Sequence, residues 1–174
     1  MKLLFKILFS TLIFISPYLS FATNIDMDND RINELISRID NKPGGQKGYW
    51  RIQYKNIPVY IITSEKANRL RIISPITSSE SLSKDKLYRM MQANFDSALD
   101  ARYSIAKGKL WSAFIHPLKE LSDEQFFSGL AQTITLVNSY GSSYSSGALV
   151  FSGGDSQNLN NRTFMEILKK GLKI

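Results

Sequence analysis

Hydrophobic and polar positions change period several times along this chain of 174 residues. Ile32, Leu35, Ile36 and Ile39 recur at the spacing of one helix face. The acidic run from Asp26 to Asp30 suits the positive end of that helix, with Asn29 or Asp30 as its cap. "NKPGGQKG", 41–48, ends it. Three strand-like runs follow. In "YWRIQYK", Trp50, Ile52 and Tyr54 share one face, and Tyr49, Arg51 and Gln53 the other. "IPVYIITS" follows a tight turn at Lys55-Asn56 and is apolar on both faces. "NRLRIISPI" sets Leu70 and Ile72 opposite Arg69 and Arg71. Connections this short predict antiparallel pairing.

A polar break, "TSSESLSKD", precedes a second helix capped by Ser83. Leu87, Met90, Met91, Asn94, Phe95 and Ala98 form its expected buried stripe. Two more strands are predicted, "ARYSIAK" and "KLWSAFIHPL", joined by a two-residue turn at Lys107-Gly108. Tyr103 and Ile105 share one face of the first. Pro117 closes the second, because proline cannot donate to a strand ladder. Ser122 to Gln125 reads as a capping box, with Leu121 and Phe126 at the positions of a hydrophobic staple. The helix it starts runs through Phe127, Leu130, Ile134 and Val137. "YGSSYSSG", Tyr140 to Gly147, is either an adaptable binding loop or a linker. A final amphipathic segment aligns Phe164, Ile167, Leu168 and Leu172, with lysines opposite. The order is α-β-β-β-α-β-β-α plus a C-terminal helix. The expected fold class is α+β: a five-stranded antiparallel sheet with helices packed on it.

The N-terminus changes the setting. Lys2 and Lys6 precede the apolar stretch Ile7 to Ile15, and Ser20-Phe21-Ala22 offers small residues at a cleavage site. This is the pattern of a secretory signal peptide, cut after Ala22. The expected organisation is a signal peptide over 1–22, one domain over 23–150 and a tail over 151–174. The predicted compartment is the periplasm or the exterior, where disulfides are permitted. The chain has no cysteine, so packing alone must hold the fold, and thiolate metal sites are excluded. The formal net charge is +7, scattered except at "LKKGLK". Such a balance in an exported protein fits anionic envelope surfaces or acidic partners better than nucleic acid.

Candidate chemistry is sparse. "KPGGQKG" lacks the spacing of a phosphate loop. "SGGDS", 152–156, reads as a turn in preference to an anion nest. "DMDND" begins like a calcium loop, but Arg31 stands where that loop needs glycine and Ser37 where it needs glutamate. The single histidine, His116, adjoins Pro117 at a strand end, and no nucleophile elbow occurs. No catalytic residue, metal site or cofactor is expected. Asn94 lies on a buried stripe, and a buried amide must find partners, here on a neighbouring strand or loop. Met90 and Met91 suit either a core or an adaptable contact surface.

The segment from Leu87 to Ile134 resembles the type III secretion chaperone-like superfamily, which includes Tir-chaperone and YbjN-like branches. The resemblance rests on Met90-Met91-x-x-Asn94, on the Lys107-Gly108 hairpin, and on a strand running through Pro117 into the capped helix. With the order of elements it covers Ile32 to Val137. It implies a non-catalytic domain that binds another polypeptide, often as a homodimer. The second helix and last two strands would supply the contact, which points to Met90, Met91, Tyr103, Trp111 and Phe114. Exposed sheet edges and faces suit extended peptide. Basic charge and the export signal set this chain apart from the family's cytoplasmic, acidic chaperones. The expectation is an exported, chaperone-like binding protein acting in the bacterial envelope. The alternative is a membrane-surface protein using the basic helix Asn161 to Ile174.

Overall fold

The computed structural model describes residues 26–96, 98, 100–141, 162, 163 and 165–171. The expected signal peptide and most of the Tyr140–Gly147 stretch lie outside the described residues, as do the turn at 152–156, Phe164 and Leu172.

Helix α1 spans Asn29–Ile39 and is followed by strands β1 (Gly44–Gln46), β2 (Tyr49–Tyr54), β3 (Ile57–Ser64) and β4 (Arg69–Ser78). A 3-10 turn at Ser79–Ser81 leads into α2 (Lys84–Asp96), then β5 (Arg102–Ala106), β6 (Lys109–His116) and α3 (Asp123–Asn138). Residues 165–171 are again helical. The strands form one antiparallel sheet in the order β1-β2-β3-β4-β6-β5. Helix α2 carries the chain from β4 to the far edge, and β6 returns to pair with β4.

Alternation decides which side of the sheet is closed. Trp50, Ile61, Ile72 and Phe114 stand in register across β2, β3, β4 and β6, and all four are buried. They share a core with Ile32, Leu35 and Ile36 of α1, with Phe126, Phe127, Leu130 and Ile134 of α3, and with Ile167. A smaller cluster of Met90, Ala93, Tyr103 and Leu110 lies under α2. Both clusters draw their strand residues from this inner face.

Local signals fix the joints. Ser122 Oγ accepts from the Gln125 N–H at 3.1 Å, and Gln125 Oε1 accepts from the Ser122 N–H at 2.9 Å, completing the capping box. Leu121 and Phe126 are both buried beside it. Ser83 Oγ accepts from the Lys86 N–H at the start of α2. Lys107 (φ 50°) and Gly108 (φ 70°) both take left-handed conformations, as a type I′ hairpin turn requires. Arg31 ties α1 to the start of α3 through two bonds to the Asp123 carboxylate. Gly129 lets α3 approach β6, since a Cβ there would lie 2.6 Å from the Phe114 ring.

Three expectations change. The sheet has six strands rather than five, because Gly44–Gln46 pairs with β2. Gly45 (φ +98°) cannot be replaced there, as a Cβ would sit 2.2 Å from the Tyr49 carbonyl oxygen. The cap of α1 is Asp28, whose side chain accepts from the Arg31 N–H at 2.7 Å, rather than Asn29 or Asp30. Asn29 lies inside the first turn, where its carboxamide oxygen accepts from the Thr63 hydroxyl. The stripe of α2 splits: Met90 and Ala93 face inward, whereas Met91 and Phe95 face out.

Candidate partner-binding surfaces

Adjacent helix residues point about 100° apart, so Met90 and Met91 cannot serve one surface. Met90 is 1% exposed and Met91 56%. Tyr88 (67% exposed) and Phe95 (76%) lie one turn before and one turn after Met91. Together they form an apolar stripe on the side of α2 turned away from the core. Ile105, on neighbouring β5, is also exposed. Tyr88, Met91, Phe95 and Ile105 are thus each more than half exposed.

The other expected contact residues separate. Tyr103 and Phe114 are each 3% exposed and belong to the two core clusters. They support the surface without reaching it. Trp111 points to the opposite side of the sheet, where its indole Nε1 donates to the Ala106 carbonyl at 2.9 Å. Of the five residues, only Met91 and Trp111 reach the surface, on different faces.

The sheet edges are less open than a peptide-capturing edge needs to be. At β5, the Asn94 carboxamide takes the place of a missing strand. Its Oδ1 accepts from the Tyr103 N–H at 2.8 Å, and its Nδ2 donates to the Tyr103 carbonyl at 3.1 Å. The residue expected to be a structural amide therefore blunts an edge. Gln132 of α3 continues the closure. Its Oε1 accepts from the N–H groups of Asp100 and Ala101 at 2.8 and 3.1 Å, and its Nε2 donates to the Asp100 carboxylate and Ser128 hydroxyl. Gln132 was not singled out from the sequence. The signal was present, as a lone amide inside the apolar run "GLAQTITLV". At the other edge, β1 offers three residues, two of them glycine.

No protein-family model matches the chain, and no characterised protein matches it in sequence. Solved structures do match. A chain of the ExsC–ExsE complex aligns with a TM-score of 0.52 at 14% identity, over 64% of this chain and 92% of that one. The Yersinia pestis type III secretion chaperone SycH, in complex with a stable fragment of YscM2, aligns with a TM-score of 0.51 at 14% identity, over 64% and 97%. The chain has the type III secretion chaperone-like fold.

The C-terminal helical segment packs into the core of this chain. Ile167 is fully buried, Leu168 packs against the core, and a Cβ on Gly171 would lie 2.4 Å from the Phe127 ring. Glu166 accepts from the Tyr54 hydroxyl at 2.5 Å and from Lys55 Nζ at 3.0 Å. These two donors hold the Glu166 carboxyl below the usual carboxylate range. Burial, then Glu166, raises the Tyr54 phenol. Of the apolar face that a membrane contact over Asn161 to Ile174 would use, Ile167 and Leu168 are turned into the fold. Among the described residues, no helix is long and apolar enough to cross a membrane.

His116 Nδ1 pairs with the Pro117 carbonyl at 2.7 Å, and its ring stacks on Phe114 with centroids 5.9 Å apart. Among the described residues, no three His, Cys, Asp or Glu side chains gather to hold a metal.

Proposed function

We propose that this chain is an exported, non-enzymatic, chaperone-like module that binds a polypeptide partner in the bacterial envelope. The observation that carries the reading is the Tyr88–Met91–Phe95 stripe. Helix α2 buries Met90 and Ala93 on one face, while Tyr88, Met91 and Phe95 on the other are each more than half exposed. Such a stripe gains free energy when a partner covers it. The fold supports the reading, since SycH has it in complex with a fragment of YscM2. The Lys2-to-Ala22 pattern supports export, and a second copy of the chain at the same stripe would make a homodimer.

The test is crosslinking and pull-down of the tagged full chain from envelope extracts, beside a Met91→Glu/Phe95→Glu double variant. The reading expects a captured polypeptide, or a second copy, that the variant loses. A strict monomer that captures nothing contradicts it. N-terminal sequencing of the recovered protein should begin at Thr23, and retention of Met1 in the cytosolic fraction contradicts export.

A further inference from the structure

The outer face of the sheet carries a different composition from the inner one. Tyr49, Ile62, Arg71 and Ile115 stand in register across β2, β3, β4 and β6. Beside them runs a second row: Arg51, Tyr60, Ile73, Ala113 and Arg102. Trp111 stands next, opposite Pro75. The rings form a chain across the strands, with Tyr49–Tyr60 centroids at 6.2 Å and Tyr60–Trp111 centroids at 6.4 Å. Neither core cluster includes any of these side chains.

Charge on this face is one-sided. Arg51, Arg69 and Arg71 are exposed and have neither a hydrogen bond nor an ion pair from their side chains among the described residues. No strand position on the face carries Asp or Glu. Elsewhere the balance differs, since Arg31, Arg38, Lys47 and Lys55 each face a carboxylate. We infer that the outer sheet face docks an acidic segment of a partner polypeptide, one in which carboxylates alternate with apolar side chains. The inference rests on the reading of the chain as a polypeptide-binding module and names the partner's chemistry.

Each part of the face suits one part of such a segment. The rings and the isoleucines offer an apolar floor, and free guanidinium groups pair carboxylates through two parallel bonds. Main-chain pairing is restricted at both edges, because Asn94 occupies the outward N–H and carbonyl of Tyr103 on β5 and β1 is only three residues long. Single-stranded nucleic acid needs rings free to stack on bases. Here Trp111 meets Tyr60 edge-on at 71°, and aliphatic side chains interleave the rings.

The experiment titrates the full chain against a short fluorescein-labelled peptide in which glutamate alternates with leucine and tyrosine. A lysine-for-glutamate peptide and an oligothymidylate are parallel probes. Arg51→Gln/Arg71→Gln is compared with Lys169→Gln/Lys170→Gln, which removes the same charge from the C-terminal segment, and melting curves establish that both fold. The expected result is binding of the acidic peptide alone, weakened about tenfold by the sheet variant. The C-terminal variant should bind like wild type, and affinity should fall with salt as exposed charges are screened. Equal weakening by both variants, tighter binding of oligothymidylate, or no binding of the acidic peptide overturns the inference. If the peptide fails but a partner is captured through Met91 and Phe95, this surface falls and the polypeptide-binding reading stands. If the peptide binds at the arginines and no partner is captured through α2, the sheet face stands and the α2 contact falls.

Discussion

The two faces of this one sheet share strands, register and backbone, yet they are built for different ends. On the inner face Trp50, Ile61, Ile72 and Phe114 share a core with α1, α3 and the C-terminal segment. Polar groups that enter that face are largely satisfied: Ser74 donates to the Pro58 carbonyl, and Thr133 to the Gly129 carbonyl. On the outer face, one residue along each strand, the neighbours are Arg51, Tyr60, Arg71 and Ile115, with no helix over them among the described residues. Burial explains the first composition, because an unpaired cation could not survive there. The second composition adds little to the stability of the isolated chain, so its aromatic and cationic side chains are available for contact.

The largest expected effect tests the stability side of that contrast. Ile72→Ala, inside, should cost about 2–5 kcal/mol by removing methyl groups from a packed core. Ile115→Ala, one strand away and outside, should stay within about 0.5 kcal/mol of wild type. Urea denaturation of both variants checks the difference, and equal losses would break the comparison. The next effect lies at the edge. Asn94→Ala leaves the Tyr103 N–H and carbonyl without their partner and should cost about 1–3 kcal/mol. Amide exchange at Tyr103 should accelerate, and the opened edge should raise aggregation. An unchanged exchange rate would mean that the edge is held by other contacts.

The smallest effect is at the C-terminal clasp. Glu166 has a lowered folded-state pKa, so its contribution is full above the ordinary carboxylate pKa and is lost as pH falls through the lowered value. Glu166→Gln should therefore melt below wild type at neutral pH, and the gap should close on acidification. A gap that widens in acid would contradict the assignment of Tyr54 and Lys55 as the causes.

Much of the fold was legible because alternation is a strong signal. β2 and β4 announce their inner and outer residues directly, and the box at Ser122 announces α3. Gly44–Gln46 was not legible, because glycines carry no side-chain period and β1 depends on the backbone freedom of Gly45. The candidate surface was legible in part. Asn94 stood out as an amide on an apolar stripe. Met90 and Met91 looked like a unit, and only the docking of α2 on Tyr103 and Leu110 decides which of them faces water. Tyr88 carried no periodic signal of its own. The C-terminal helix declared its amphipathicity through Ile167 and Leu168 but not its destination, since a membrane and a core ask for the same pattern.

The central claim is that the exposed stripe of α2 meets a polypeptide. The most direct measurement places a photoactivatable crosslinking residue at position 91 of the full chain, in cells, with exposed position 124, in the first turn of α3, as control. Illumination should yield a polypeptide adduct, either a partner or a second copy, from position 91 and not from position 124. No adduct from position 91, or equal labelling at both positions, would contradict the account.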